Sequence, residues 1–238
     1  MINKIARHVE EAVEGIADGS TVLIGGFGEA GNPTELVHAL IGQGARDLVV
    51  VNNNAGNGEI GLARLIQAGR VRKLICSFPR SSHSHVFDDL YRAGGIELEL
   101  VPQGTLAERI RAGGAGIPAF FTPTAAGTDL AAGKEIRMFA EREHVMETAI
   151  RGDIALIKAE AADRWGNLVY RKAARNFGPV MASAATKTIA QVRRVVPLGE
   201  LDPETIVTPS IFIQHVVAIP NPVSERDFLM ASGKAAAA

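Results

Sequence analysis

Residues 21–40 read TVLIGGFGEAGNPTELVHAL and combine an apolar β-branched run, a cluster of glycines and the apolar spacing of a helix. The pattern predicts a buried strand, a tight loop and a helix. Asn32 is the expected cap of this helix, with Pro33 in the first turn and Glu35 three residues after the cap. A strand that leads through a short loop into a helix is the basic unit of an α/β fold.

The same alternation continues on both sides of this stretch. Parallel strands joined by helices produce such a rhythm, because each crossover between neighbouring parallel strands needs a helix-length connection. Glu108, three residues after Thr105, gives a second predicted capping box. Strands are predicted at residues 47–51, 72–78 and 96–103, and helices at 5–18, 84–94 and 105–113.

The pattern changes after Gly113, where mixed strands are predicted. The chain is therefore predicted to be one α/β domain over residues 1–222, with an open, mostly parallel sheet, flanking helices and mixed strands in its second half. Residues 223–238 are predicted to be a flexible C-terminal tail. The expected elements are a hairpin over 134–140 and 144–150, two strands within 153–171, a helix at 179–192 and strands at 193–198 and 210–219.

Composition excludes several classes of function. The formal net charge of −1 provides no excess of positive charge for binding nucleic acid, and 5% aromatic residues provide few side chains on which bases could stack. The single cysteine, Cys76, allows no disulfide within the chain and indicates a cytoplasmic protein. No run reaches the length of about 18 apolar residues that a membrane helix needs, and the N-terminus does not resemble a signal peptide.

The glycine loop admits more than one interpretation. Gly26, Gly28 and Gly31 have the G-x-G-x-x-G spacing of a dinucleotide-binding turn. That hypothesis requires an acidic residue at the end of the second strand, where the chain instead has the amides of residues 52–54, and Glu29 adds a negative charge inside the loop. One interpretation is that the glycines only allow a tight connection from the strand to the helix. The other is that they let a ligand approach the backbone next to a helix N-terminus.

Several longer motifs then occur together and in order. The chain resembles the A (alpha) subunits of family I CoA-transferases over residues 5–219. This resemblance implies the open α/β fold of CoA-transferase (NagB/RpiA-like) type. It also implies a B-subunit partner of similar fold, in a heterodimer or a larger α2β2 assembly, with the active site between the subunits. The motifs are NNAGNGEIGL, CSFPR, YRAGGIELELVPQGTLAERIR, AGGAGIPAFFTPT and DRWGNLVYRKAARNFGP.

The resemblance also implies a reaction. In a ping-pong exchange, an acyl-CoA is attacked by a glutamate of the partner B subunit, so this chain is expected to hold no catalytic nucleophile. Succinyl-CoA is the expected donor and a 3-oxoacid the acceptor, with 3-oxoadipate favoured. Coenzyme A is a substrate here, and no metal or permanently bound cofactor is expected. The alternatives are an A subunit for acetoacetate or short-chain fatty acids, and a CoA- or nucleotide-binding module without catalysis.

The resemblance assigns roles to individual residues as well. Asn53, Asn54 and Gln103 correspond to amides that line the acyl pocket and donate hydrogen bonds to an oxyanion. Turn chemistry is the alternative explanation for the asparagine run. The loop corresponds to a CoA-binding segment, which comprises Gly25, Gly26, Phe27, Gly28, Glu29, Ala30 and Gly31.

Other reactive side chains are weaker candidates for a functional role. Glu59 is offset by a few residues from the position of the partner's nucleophile and is expected to be a surface residue. His83 and His85 lack a third metal ligand at suitable spacing. Cys76 lies in an apolar strand and is expected to be inert. Arg80 follows the third strand and could pair with the distal carboxylate of a dicarboxylic substrate.

A basic cluster precedes a Gly-Pro pair in the second half of the chain. Arg171, Lys172 and Arg175 make up this cluster. Because the rest of the chain is near neutral, a solvated or subunit-facing patch is a better interpretation than nucleic-acid binding.

Overall fold

The computed structural model of the protein describes residues 2–81, 83–224 and 227–228. Short 3-10 helices occur at Asp129–Ala131, Lys172–Arg175, Pro203–Thr205 and Ser210–Phe212. The α-helices are α1 (Val9–Val13), α2 (Thr34–Gln43), α3 (Gly61–Gln67), α4 (His85–Arg92), α5 (Gln103–Gly114) and α6 (Gly178–Ala184). The strands are β1 (Thr21–Ile24), β2 (Leu48–Val51), β3 (Val71–Cys76), β4 (Glu97–Leu100), β5 (Ala119–Thr122), β6 (Ile136–Phe139), β7 (Arg142–Thr148), β8 (Gly152–Asp163), β9 (Leu168–Val169), β10 (Ala185–Val196) and β11 (His215–Ala218).

The main sheet has the order β11-β10-β8-β1-β2-β3-β4, and all of these neighbours are parallel. Strand β9 pairs antiparallel with β8 beside this path. Leu23 in β1 lies between Val51 of β2 and Ala155 of β8. The predicted open, mostly parallel α/β sheet is therefore confirmed, and the mixed strands lie in the second half of the chain.

Helices cover both faces of this sheet and form two apolar layers. Successive strand residues point to opposite faces, so Leu156 packs into one layer and Ile157 into the other. Leu36 of α2 is in the first layer and Leu106 of α5 is in the second, and all four side chains are completely buried. Each such side chain contributes about 2 kcal/mol to folding. Burial on both faces also explains the unbroken apolar run of β2.

A second, antiparallel sheet has the order β5-β7-β6, and its β6–β7 pair is the predicted hairpin. Buried charges connect it to the main sheet. Arg109 of α5 donates to Glu99 at 2.7 Å and to the Thr148 carbonyl at 2.7 Å. Glu147 is only 2% exposed and accepts from Lys134 at 2.6 Å. Arg109 thus holds the β7 end of the small sheet against β4 of the main sheet.

Both predicted capping boxes are wrong. Helix α2 begins at Thr34 after Pro33, without a side-chain cap, and the Asn32 amide donates to the Gly28 carbonyl instead. The Glu35 carboxylate accepts from the Val223 backbone and from the Gln191 side chain, so it is not available to a cap. Tertiary partners have replaced the local hydrogen bonds.

The second capping box fails because α5 begins at Gln103, two residues before Thr105. Thr105 therefore lies inside the helix and is not at its start. Glu108 forms an ion pair with Arg111 on the exposed surface of the same helix, at 2.6 Å. The predicted helix was correct, but its start was placed too late.

Four predicted elements have different bounds or types. The helix predicted at 179–192 ends at Ala184, and residues 185–196 form one strand that includes most of the predicted 193–198 segment. The strand predicted at 210–219 is a 3-10 turn followed by β11. The first helix covers only Val9–Val13, and Ile5, which was expected in this helix, instead forms a parallel bridge with Val216. Helix α3 was not predicted.

The segment predicted as a tail starts close to the glycine loop. The Val223 backbone N–H donates to Glu35 at 2.6 Å, and the Ser224 hydroxyl donates to Glu29 at 2.8 Å. Residues 225, 226 and 229–238 of that predicted tail lie outside the described residues. In the part of the chain that is described, no helix has the length and apolar character required to span a bilayer.

Candidate functional site

The carboxyl ends of β1, β2 and β3 meet at one edge of the main sheet. The glycine loop follows β1, the asparagine run follows β2, and Ser77 and Phe78 follow β3. Ligands of open α/β sheets bind outside these strand ends. The parallel topology therefore places the loop and the amides at the edge where a ligand site is expected.

Two glycines of the loop are required by the fold itself. Gly26 has φ of +129°, and a Cβ there would lie 1.7 Å from Asn32 Oδ1. Gly31 has φ of +82°, and a Cβ there would lie 2.6 Å from the Ala174 carbonyl oxygen. Both positions exclude a side chain. The hypothesis that the glycines make a tight crossing therefore accounts for this pair.

Other parts of the loop remain available to a ligand. Gly28 has φ of +58° with open space around it. Phe27 and Ala30 bond each other through their backbones, and the Phe27 side chain is 50% exposed. Within the residues that the structure describes, the Gly28 and Gly31 N–H groups donate no hydrogen bond. These N–H groups, followed by helix α2, form a surface that suits an anionic or carbonyl ligand.

Asn176 holds the loop in place, and sequence reasoning missed it. Its Oδ1 accepts from the Gly26 backbone at 3.2 Å, and its Nδ2 donates to the Ala30 carbonyl at 2.8 Å. The same amide also bonds the Phe177 N–H and the Ala173 carbonyl. One side chain from the segment after β9 therefore joins the two ends of the glycine loop.

Asn176→Ala is expected to loosen the loop without unfolding the protein. Loss of the acceptor for the Gly26 N–H should speed hydrogen exchange there by about tenfold, which corresponds to one net hydrogen bond. Mass spectrometry of a peptide that spans residues 25–32 measures this rate. Asn221→Ala, an exposed substitution, is the matched control. Equal exchange in both variants would contradict the clamping role of Asn176.

The negative charge of Glu29 in the glycine loop has a hydrogen-bond donor nearby. Its carboxylate accepts a hydrogen bond from the Ser224 hydroxyl at 2.8 Å. A groove beside it carries both signs of charge, with Lys158, Arg171 and Arg193 opposed by the carboxylates of Glu29, Glu160 and Asp227. The predicted basic cluster therefore contributes only Arg171 to this groove, and its charge is balanced there.

Asn53 and Gln103 are brought together, although fifty residues separate them in sequence. The Gln103 Nε2 donates to Asn53 Oδ1 at 2.8 Å, and the Ser77 hydroxyl donates to the same oxygen at 2.6 Å. Asn53 is 3% exposed, and within the described residues its Nδ2 has no hydrogen-bond acceptor. The pair thus presents an unused amide donor at the strand edge.

Asn54 lies apart from this pair. Its Oδ1 accepts from the Gly56 backbone at 2.8 Å, and its side chain lines a small cavity together with Asn32 and Thr34. Asn52 shares that cavity and donates to the Ile24 carbonyl at 2.7 Å. Turn and strand-end hydrogen bonds therefore account for the side-chain amide of Asn52 and for the side-chain oxygen of Asn54. The three predicted amides form two groups.

The remaining candidates occupy structural or surface positions. Glu59 lies 3.7 Å from His85, and Arg80 pairs with Asp88 at 3.1 Å. The described residues contain no group of three or more potential ligands that could hold a metal ion. Cys76 is completely buried, and burial raises the pKa of its thiol to about 12. A thiol in this environment is not a nucleophile at neutral pH.

Known sequences identify the family to which the chain belongs. The profile of the coenzyme A transferase family matches residues 6–218, and the chain belongs to that family. It is 65% identical over 219 residues to the A subunit of 3-oxoadipate CoA-transferase from Pseudomonas putida, covering 92% of this chain and 95% of the relative.

Two further relatives have the same subunit type. The identity is 60% to the A subunit of 3-oxoadipate CoA-transferase from Acinetobacter baylyi, covering 92% of this chain and 96% of the relative. It is 46% to the A subunit of succinyl-CoA:3-ketoacid coenzyme A transferase from Helicobacter pylori strain J99, covering 90% and 92% respectively. The chain is therefore similar to the A subunits of heteromeric enzymes over nearly its whole length.

Solved structures show the same fold. Glutaconate coenzyme A-transferase from Acidaminococcus fermentans aligns with a TM-score of 0.86 at 20% identity, covering 97% of this chain and 83% of that one. An acyl-CoA transferase from E. coli O157:H7 aligns with a TM-score of 0.82 at 23% identity, covering 93% of this chain. This chain spans about half of that longer one, 50% of its length. The predicted CoA-transferase fold is thus confirmed.

Proposed function

We propose that this chain is the A subunit of a cytoplasmic 3-oxoadipate CoA-transferase, which moves CoA from succinyl-CoA to 3-oxoadipate together with a B subunit. The main support is the 65% and 60% identity to subunits that carry this name. The strand-edge site adds a chemical argument, because Asn53 and Gln103 offer neutral amide donors and the described site holds no activated nucleophile.

The reaction proceeds by a ping-pong route. The B subunit's glutamate carboxylate attacks the succinyl thioester, CoA thiolate leaves, and a mixed anhydride forms. The thiolate then attacks the glutamyl carbonyl, which releases succinate and leaves an enzyme–CoA thioester. The carboxylate of 3-oxoadipate reverses both steps. Each addition creates a tetrahedral oxyanion, and the bonds made balance the bonds broken.

This chain contributes binding and electrostatic stabilisation to that route. The Asn53 amide donates to the oxyanion, and Gln103 supports it from the start of α5. The backbone of residues 25–31 binds part of the acyl-CoA against the N–H groups of Gly28 and Gly31, which donate no hydrogen bond within the described part of the chain. A neutral amide suits this task because it stabilises negative charge without competing as a nucleophile.

Two alternatives remain as outcomes of the test. The 46% identity to a succinyl-CoA:3-ketoacid transferase subunit supports, less strongly than the 65% identity, a related enzyme for acetoacetate or short-chain acids. A CoA-binding module without catalysis is the alternative from another class. Arg80 pairs with Asp88 through its Nε at 3.1 Å, so the distal carboxylate of 3-oxoadipate would bind its terminal N–H groups or compete with Asp88.

Transfer activity is expected only when both subunits are present. The chain is co-expressed with its B subunit, and the purified complex is assayed with succinyl-CoA and 3-oxoadipate by following the new thioester. The chain alone should show no transfer, since it lacks the nucleophile. Acetoacetate and butyrate, tested at equal concentration, serve as acceptor controls and should react more slowly.

The other results are equally informative. Faster transfer to acetoacetate would replace 3-oxoadipate as the proposed acceptor. Full activity of the isolated chain, or absence of transfer by the complex with every acid, would contradict the proposed function. Gel filtration coupled to light scattering then determines whether the complex is a heterodimer or an α2β2 assembly.

A further inference from the structure

Ser77 lies beside the candidate oxyanion donor and has no role in the proposed reaction steps. It is the first residue after β3 and is half-buried. Its hydroxyl lies 2.6 Å from Asn53 Oδ1 and 3.1 Å from the Asn53 carbonyl oxygen. The backbone N–H groups of Ser77 and Phe78 also donate to that carbonyl, at 3.2 and 3.0 Å. Ser77 is therefore fixed against Asn53 by its own backbone.

These distances fix which end of the Asn53 amide faces Ser77. A separation of 2.6 Å is ordinary for O–H···O but shorter than the usual range for N–H···O. The atom that faces the hydroxyl is thus the amide oxygen, and it also accepts from Gln103 Nε2. With its oxygen held by two donors, Asn53 must turn its Nδ2 towards the opposite side.

The two donors differ in how firmly they are held. Gln103 is an exposed, long side chain at the first position of α5, whereas Ser77 has a short side chain at the end of a buried strand. A short side chain with few rotamers loses less entropy when it holds a partner in one geometry. Ser77 is therefore the firmer of the two contacts that orient the buried Asn53 amide.

We propose that Ser77 is a positioning residue, which holds the Asn53 amide in the orientation that presents Nδ2 to the oxyanion of the acyl intermediate. This inference rests on the proposed function. Ser77 touches no reacting atom itself. It acts by preorganising a donor, so that the amide need not reorient when negative charge develops.

The kinetic test uses the A–B complex. Ser77→Ala should lower kcat by about tenfold with the KM for succinyl-CoA unchanged within about twofold, because the lost interaction matters in the transition state. Ser77→Thr keeps the hydroxyl and should retain most of the activity. Thermal melting should be nearly unchanged in both variants, since the Asn53 carbonyl keeps its two backbone donors.

A double-mutant cycle separates orientation from general structure. Asn53→Asp preserves an oxygen for Ser77 and Gln103 but removes the outward amide, so kcat should fall by at least about a hundredfold. In that background Ser77→Ala should add almost nothing, because no donor remains to be oriented. Equal kcat in Ser77→Ala and wild type, or losses that multiply in the double variant, would overturn the proposal.

Nuclear magnetic resonance detects the orientation of the Asn53 side-chain amide independently of activity. The side-chain amide signal of Asn53 is assigned in selectively labelled complex by its loss in Asn53→Asp. Ser77→Ala should shift or broaden that signal, and Ser77→Thr should leave it near its original position. An unmoved signal in Ser77→Ala would overturn the positioning role of Ser77. Absence of CoA transfer by the wild-type complex would contradict the proposed function alone, and the signal could still be measured in that case.

Discussion

Replacing Asn53 or Gln103 with alanine is expected to lower kcat of the A–B complex by roughly tenfold to a thousandfold. In the proposed reaction, each tetrahedral intermediate places negative charge at the strand edge where these two amides meet, 2.8 Å apart. Asn53 should show the larger loss, because its Nδ2 is the proposed donor to the oxyanion, whereas Gln103 bonds only the Asn53 oxygen. The KM for succinyl-CoA should change much less than kcat, because the ground-state thioester carries no such charge.

Gln67→Ala provides the matched control for these variants. Gln67 is an exposed amide at the end of α3, away from the strand edge. Its replacement should leave kcat and KM unchanged. Wild-type kcat in both Asn53→Ala and Gln103→Ala would show that the amides are scaffold only, and equal losses in all three variants would indicate a nonspecific effect.

Arg109→Met is expected to lower the free energy of unfolding by about 3 kcal/mol. Arg109 is 7% exposed and bonds both Glu99 and the Thr148 carbonyl, and it lies 3.8 Å from Glu147. Methionine keeps the apolar stem and removes the charge. Glu147 would then be a buried carboxylate with Lys134 as its remaining ion-pair partner among the described residues, and the Thr148 carbonyl would lose its Arg109 donor.

Urea denaturation of the purified chain measures this loss. Arg111→Met, two residues further along α5, is the matched control, since Arg111 pairs with Glu108 on the exposed side of the same helix. Exposed pairs contribute little, so this variant should behave like wild type. An equally small effect of Arg109→Met would contradict the role of the buried network in joining the two sheets.

The parallel half of the fold could be predicted because its elements carry local patterns. The valines of β2 are consecutive since helices cover both faces of the sheet. Gly44 ends α2 in the left-handed conformation, as a C-terminal glycine is expected to do. Such features depend only on neighbours in sequence, so one chain is enough to recognise them.

Elements decided by distant contacts could not be predicted in this way. Residues 185–192 have apolar spacing that suits a helix, but they pair along β8 and continue into one long strand. Tertiary pairing has overridden local preference there. Glu35 was expected to complete the capping box of Asn32 at the start of α2, yet Gln191, which is 156 residues away, binds its carboxylate.

The candidate site depended on the family resemblance for a similar reason. Asn53 and Gln103 meet only because the parallel pairing of β2, β3 and β4 brings their strand ends together. Ser77 and Asn176 lie within two of the family motifs but received no role from the sequence, since a serine after a strand and an asparagine before a phenylalanine are ordinary turn residues. Their roles emerge from hydrogen bonds across the fold.

In the proposed enzyme, this chain supplies hydrogen-bond donors and a binding surface, and its partner supplies the nucleophile. The most direct test is to incubate the A–B complex with succinyl-CoA without an acceptor acid, denature it, and measure the intact mass of each polypeptide. CoA should be attached through a thioester to the B subunit, and this chain should keep its unmodified mass. CoA attached to this chain, at Glu59 or at any other carboxylate, would contradict the account.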